Sequence, residues 1–193
     1  GQVVKLRCEA SGDKPIRFFW SKDNKPIKSF SSPRYSIEDH SEKDTPWSEL
    51  VILFAERNDT GSFRCDVSNS YGQDEQVTHL SIQDRPEQPP KPEALNVLSR
   101  SVTILWKSPS DGNSPITKYI VQYKRSVESW DKQLSEMVAE SDQSQVTVLD
   151  LQPLAEYNFR VLAQNAIGVG PPSEALTVIT DGEVPATPPQ SVK

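Results

Sequence analysis

Only two histidines, His40 and His79, and two cysteines, Cys8 and Cys65, occur in these 193 residues. Neither histidine has a Cys, His or carboxylate at metal-ligand spacing, and both fall in stretches expected to be exposed strand. No glycine-rich phosphate loop and no nucleophile motif is present. No catalytic, cofactor-binding or metal residue is therefore assigned, and no enzyme activity is expected. No apolar run approaches the ~20 residues of a membrane helix, and no signal peptide is recognisable. A basic excess is missing too. The formal net charge is -6, with 12 basic and 14 acidic residues in 1–85 and 9 and 13 in 86–193. Neither nucleic acid nor an anionic membrane surface suits such a chain. Glycine is scarce, 8 residues against 16 prolines, which points to many edges and turns and at least one stiff connection.

What is present is alternation. The stretch Arg57 to Asn69, RNDTGSFRCDVSN, holds a turn, Asp59-Thr60-Gly61, and then Phe63, Cys65 and Val67 at period two, as a strand with one buried face requires. Cys8 is the one possible mate of Cys65, and Trp20 stands twelve residues after Cys8. A Cys, a Trp about a dozen residues on, and a second Cys after an Asp-x-Gly-x-aromatic-x-Cys turn is the layout of an immunoglobulin sandwich, whose inter-sheet disulfide packs on that Trp. Two cysteines used by one motif favour an oxidising compartment; the alternative is a pair of reduced core thiols in an intracellular immunoglobulin domain. Further strands are expected over Val3 to Ala10, Ile16 to Lys22, Arg34 to Asp39, around Leu50 and Ile52, and Gln76 to Ile82, with a hairpin turn at Tyr71-Gly72. Such domains usually carry Tyr two residues before the second Cys. Here Phe63 stands there and cannot make the corner hydrogen bond, a loss of about 1 kcal/mol if nothing replaces it.

Residues 84 to 94, DRPEQPPKPEA, carry Pro86, Pro89, Pro90 and Pro92. Such a run fixes φ, removes donors and reads as a semi-rigid spacer. Beyond it the grammar changes. Val102, Ile104 and Trp106 alternate, the loop SDGNSP precedes a strand Tyr119 to Tyr123, and Leu151-x-Pro153-x-x-x-Tyr157 leads into FRVLAQN and AIGVGPPSEAL. This pattern resembles the fibronectin type III module, with Tyr157 reaching back to the backbone near Leu151 as a tyrosine corner. The whole is expected to be all-β, two tandem sandwiches: an immunoglobulin-like domain at 1–84 with its first strand missing or incomplete, a linker at 85–93, a fibronectin type III domain at 94–181, and the start of a further such domain at 182–193. Trp20, Phe63, Trp106 and Tyr157 are the expected core markers. Asn58-Asp59-Thr60 is the acceptable N-glycosylation sequon. Trp47 and Trp130 have no evident core role; Trp130 is a candidate interface residue, with a ring lying over the rim of the sheet as the plainer alternative.

The stretches CEASGDKPIRFFW, RSVTILW and DGNSPITKYIVQYKRS, the pair Ser129-Trp130, and NAIGVG followed by Ser173-Glu174-Ala175 closely resemble the Down syndrome cell-adhesion molecule (Dscam) family, over nearly the whole chain. They resemble its last immunoglobulin domain before the fibronectin block together with the first fibronectin domain. Departures from the vertebrate pattern at 16–20 and 47–54 suggest an arthropod member of the shorter chelicerate kind. The resemblance implies the extracellular part of a single-pass receptor that binds itself on apposed cells for self-recognition. Distal domains would choose the partner, while this pair would act as a spacer or a same-cell (cis) association module. The competing reading is the ligand-binding ectodomain of a receptor enzyme, such as a receptor tyrosine phosphatase; a third is an intracellular muscle scaffold.

Overall fold

A computed structural model describes residues 2–28, 33–40, 45–132 and 134–184, so most of the expected further module at 182–193 lies outside the described residues. The chain divides into two compact units, Gly1–Ile82 and Gln83–Lys193, and among the described residues both are all-β apart from one turn of 3-10 helix.

In the first unit the strands are β1 (Val4–Glu9), β2 (Arg17–Lys22), β3 (Lys25–Pro26), β4 (Tyr35–His40), β5 (Trp47–Ile52), β6 (Gly61–Ser68) and β7 (Gln73–Leu80). They form two antiparallel sheets, β1-β5-β4 and β3-β2-β6-β7. The inward positions of β1, β2, β5 and β6 close on one core containing Cys8, Phe18, Trp20, Leu50, Ile52, Phe63 and Cys65. Trp20 lies directly opposite Cys65 across the β2–β6 ladder, and Cys65 is bonded to Cys8 of the facing sheet. That disulfide closes a loop of 57 positions, which stabilises the fold by ~4 kcal/mol in the chain-entropy account. Buried polar atoms need partners, and the Trp20 indole N–H finds one in the Ser48 hydroxyl at 2.9 Å, which donates in turn to Asp39 at 2.5 Å. β7 starts three residues earlier than its expected Gln76. Asn69 closes the turn before it, its side-chain oxygen accepting the N–H groups of Tyr71 and Gly72. Every residue of β7 but Leu80 is exposed, so no buried period marks its beginning.

The second unit contains β8 (Glu93–Val97), β9 (Val102–Leu105), β10 (Ile116–Arg125), β11 (Ser135–Glu140), β12 (Gln145–Val148), β13 (Glu156–Asn165) and β14 (Leu176–Ile179). Its sheets are β12-β9-β8 and β11-β10-β13-β14. Val102, Ile104, Trp106, Tyr119, Val121, Phe159 and Val161 fill the space between them. The Tyr157 hydroxyl accepts the N–H of Gln152 at 3.0 Å, one residue past the Leu151 expected from the sequence. The proline stretch read as a spacer also touches this unit. Pro86, Pro89 and Pro92 are buried, at the three-residue period of a polyproline helix. The N–H groups of Asp84 and Glu87 donate to the carbonyls of Gly112 and Ser110.

Candidate functional site

The histidines are placed as side chains of a β surface. His40 stacks on Trp47 with centroids 3.8 Å apart, and His79 Nδ1 is 2.9 Å from the Ser62 hydroxyl. Among the described residues, no three His, Cys, Asp or Glu side chains gather closely enough to hold a metal ion. Trp47 is also covered by Arg7, 4.3 Å from its ring centre. The core markers Trp20, Phe63, Trp106 and Tyr157 are all buried. The indole N–H of Trp106 finds no acceptor among the described residues.

Trp130 lies in the loop after β10 and is half-buried. The Arg160 guanidinium sits 4.0 Å from its ring centre and the Lys124 ammonium 5.0 Å, both within cation–π range. Each cation is held from below: Lys124 donates to the Glu128 carbonyl at 2.6 Å, and Arg160 Nε donates to Gln122, which donates to Glu136. Burial pushes the Arg160 guanidinium below its ordinary value, against the raising effect of Asp131 and Glu136. The ring is thus fastened onto the sheet by a ladder crossing β13, β10 and β11.

Among the described residues, the turn at Asp59 is densely hydrogen-bonded. Asp59 is buried and accepts from the Glu56 N–H at 2.7 Å, the Tyr35 hydroxyl at 2.7 Å and the Arg34 guanidinium. Burial works against its charge, but those hydrogen bonds and the Arg34 and Lys22 charges outweigh it and hold the carboxyl below the usual carboxylate range. The Tyr35 phenol is pushed up to about 12, by burial first and then by its bond to Asp59. Tyr35 therefore supplies, from β4, the hydroxyl that Phe63 lacks. Only the Tyr35 to Asp59 separation of 24 positions stands between this pair and detection in the sequence, and no local pattern bridges it. Asn58 is exposed within the 3-10 turn, its carbonyl accepting from Lys22, while the Thr60 hydroxyl of the same sequon accepts the Ile82 N–H.

Over β2, β6 and β7 runs an open groove of about 580 Å³ lined by Phe19, Arg64, Asp66 and Glu75 among others. Phe19 is 57% exposed, and Arg64 is paired to Asp66 and Glu75.

Residues 1–82 match the immunoglobulin I-set domain and residues 87–179 the fibronectin type III domain. Over 193 residues the chain is 36% identical to the Drosophila melanogaster cell adhesion molecule Dscam1 and 38% to the Gallus gallus cell adhesion molecule DSCAM. The human DSCAM is 35% identical over 192 residues. This chain is a homologue of the Dscam cell adhesion molecules. All of the chain is matched, but it spans only 9–10% of those Dscam proteins. With 36% identity to the fly protein and 38% to the chicken protein, the chain is about equally similar to an arthropod and a vertebrate relative. Among solved structures, a crystal structure of titin domains aligns with 94% of the chain and 60% of its own length, at 28% identity and a TM-score of 0.55, a likeness of fold.

Proposed function

We propose that this chain is an extracellular segment of a homophilic cell-adhesion and self-recognition receptor anchored in the plasma membrane by a single span. In this role it acts as a spacer between recognition domains, with same-cell association as a second capacity. The observation that carries the reading is similarity along the whole chain to cell adhesion molecules of three animals. Two sandwiches, one cross-linked by Cys8–Cys65, suit an oxidising exterior and limit the entropy lost when many linked domains align. Weak contacts repeated along such a chain add through multivalency. Sedimentation equilibrium from micromolar to near-millimolar concentration separates the two capacities: a reversible dimer assigns cis association to this pair, and a monomer leaves it a spacer. Thiol titration tests the reading as a whole, since free thiols at Cys8 and Cys65 in protein from its native source place it in a reducing compartment and sink it.

A further inference from the structure

The segment entering the second unit is gripped from several sides. Asn165, 2% exposed at the end of β13, aims its amide nitrogen at the main-chain oxygens of Asp84 (2.6 Å), Asp111 (2.8 Å) and Ser114 (3.3 Å). Its side-chain oxygen accepts the N–H groups of Ile167 and Gly168, so all of its hydrogen-bonding capacity is engaged in holding three stretches of backbone together. Asp84 returns a bond, its N–H donating to the Gly112 carbonyl at 2.8 Å, and the Glu87 N–H donates to Ser110 at 2.9 Å. Two glycines let the segment come this close. A Cβ at Gly112, whose φ is +72, would lie 2.3 Å from the Asp84 carbonyl oxygen, and one at Gly170 would lie 2.3 Å from that of Pro86. No side chain fits at either place.

On the other side, the N–H of Ile82 is held within the first unit by the Thr60 hydroxyl at 2.9 Å. Ile82 is thus fastened to one unit and Asp84 to the next. We propose that Asn165, Gly112 and Gly170 form a latch that makes residues 84–87 a docked part of the second unit's fold and not a free linker. The prolines then stiffen a segment already docked on the second unit. The latch is independent of the adhesion reading and holds whatever the chain binds.

Amide hydrogen exchange on the whole 193-residue chain tests this. The Asp84 and Glu87 amides are expected to exchange at least ~100-fold more slowly than in a free peptide, as amides of a cooperative unit do. Gly170→Ala, which has no left-handed φ to disturb, is expected to speed them at least ~10-fold while amides of β10 and β13 keep their protection. Asn165→Ala serves as the second variant, and Gly170→Ala keeps the question open to decision if Asn165→Ala fails to fold. Free-peptide exchange at Asp84 in the natural chain, or exchange unaltered in Gly170→Ala, overturns the latch.

Discussion

Tyr35→Phe removes one hydroxyl from the corner of the first unit and leaves the ring in place. The lost bond runs to a buried charged acceptor, Asp59, at 2.7 Å, and hydrogen bonds to charged groups contribute ~1.5–3 kcal/mol. The lower end applies, because Asp59 keeps its bonds from Glu56 and Arg34 and half-buried Tyr35 leaves water some access. The expected loss is about 1.5 kcal/mol in the first unit, with no change in the second. The pH profile carries the sharper signature. Asp59 has a lowered folded-state pKa, so its contribution is complete above the unfolded value and disappears as pH falls through the folded one. Removing the Tyr35 donor raises that folded pKa, and the acid loss of stability begins at higher pH in the variant. At the other extreme, the phenol is raised from 10.0 to about 12; its contribution is present below the unfolded value and lost as pH rises through the folded one. The variant lacks that alkaline limb. Urea unfolding of the whole chain, read from NMR intensities of β6 and β13 amides, reports each unit separately. A cost under ~0.5 kcal/mol, the size of an ordinary surface substitution, together with an unshifted acid limb, would refute the assignment of the corner to Tyr35.

In the second unit, Tyr157→Phe takes away the acceptor of the part-buried Gln152 N–H and should cost ~0.5–1.5 kcal/mol there alone, visible as a lowered calorimetric transition for that unit. Cys65→Ala, by opening the 57-position loop, should destabilise the first unit by ~4 kcal/mol and leave β13 amides with unchanged exchange. Trp130→Ala uncovers Arg160 and Lys124 and should cost the second unit ~0.5–2 kcal/mol of cation–π contact, measured by urea unfolding. If Trp130 is an interface residue, the same variant abolishes any dimer seen in sedimentation.

The sandwich architecture was legible because its markers are local or regularly spaced: Cys8, Trp20 and Cys65 in the first unit, and Leu151 with Tyr157 in the second. The strands not legible in the sequence, β3 (whose Lys25-Pro26 reads as a turn), β8, β11, β12 and β14, are two to six residues long. β11 buries one residue of its six, so its alternation carries almost no hydrophobic signal. Tyr35 was hidden because its partner lies on another strand. The proline stretch was half legible. Its composition predicts stiffness, but a buried period of three is meaningful only against a surface, and Asn165, which helps hold the segment, lies 81 positions from Asp84.

The two units also differ in how they would behave as links in a chain under tension. In the first, the covalent bridge from β1 to β6 spans 57 positions, so roughly 200 Å of potential contour length stays locked inside even if every hydrogen bond of both sheets gives way. The second unit has no cysteine and nothing comparable to stop it from extending fully once its β8 and β14 ends part. Under a load on its two ends, the first unit could lengthen only through the segments outside its bridge, whereas the second could pay out its whole length.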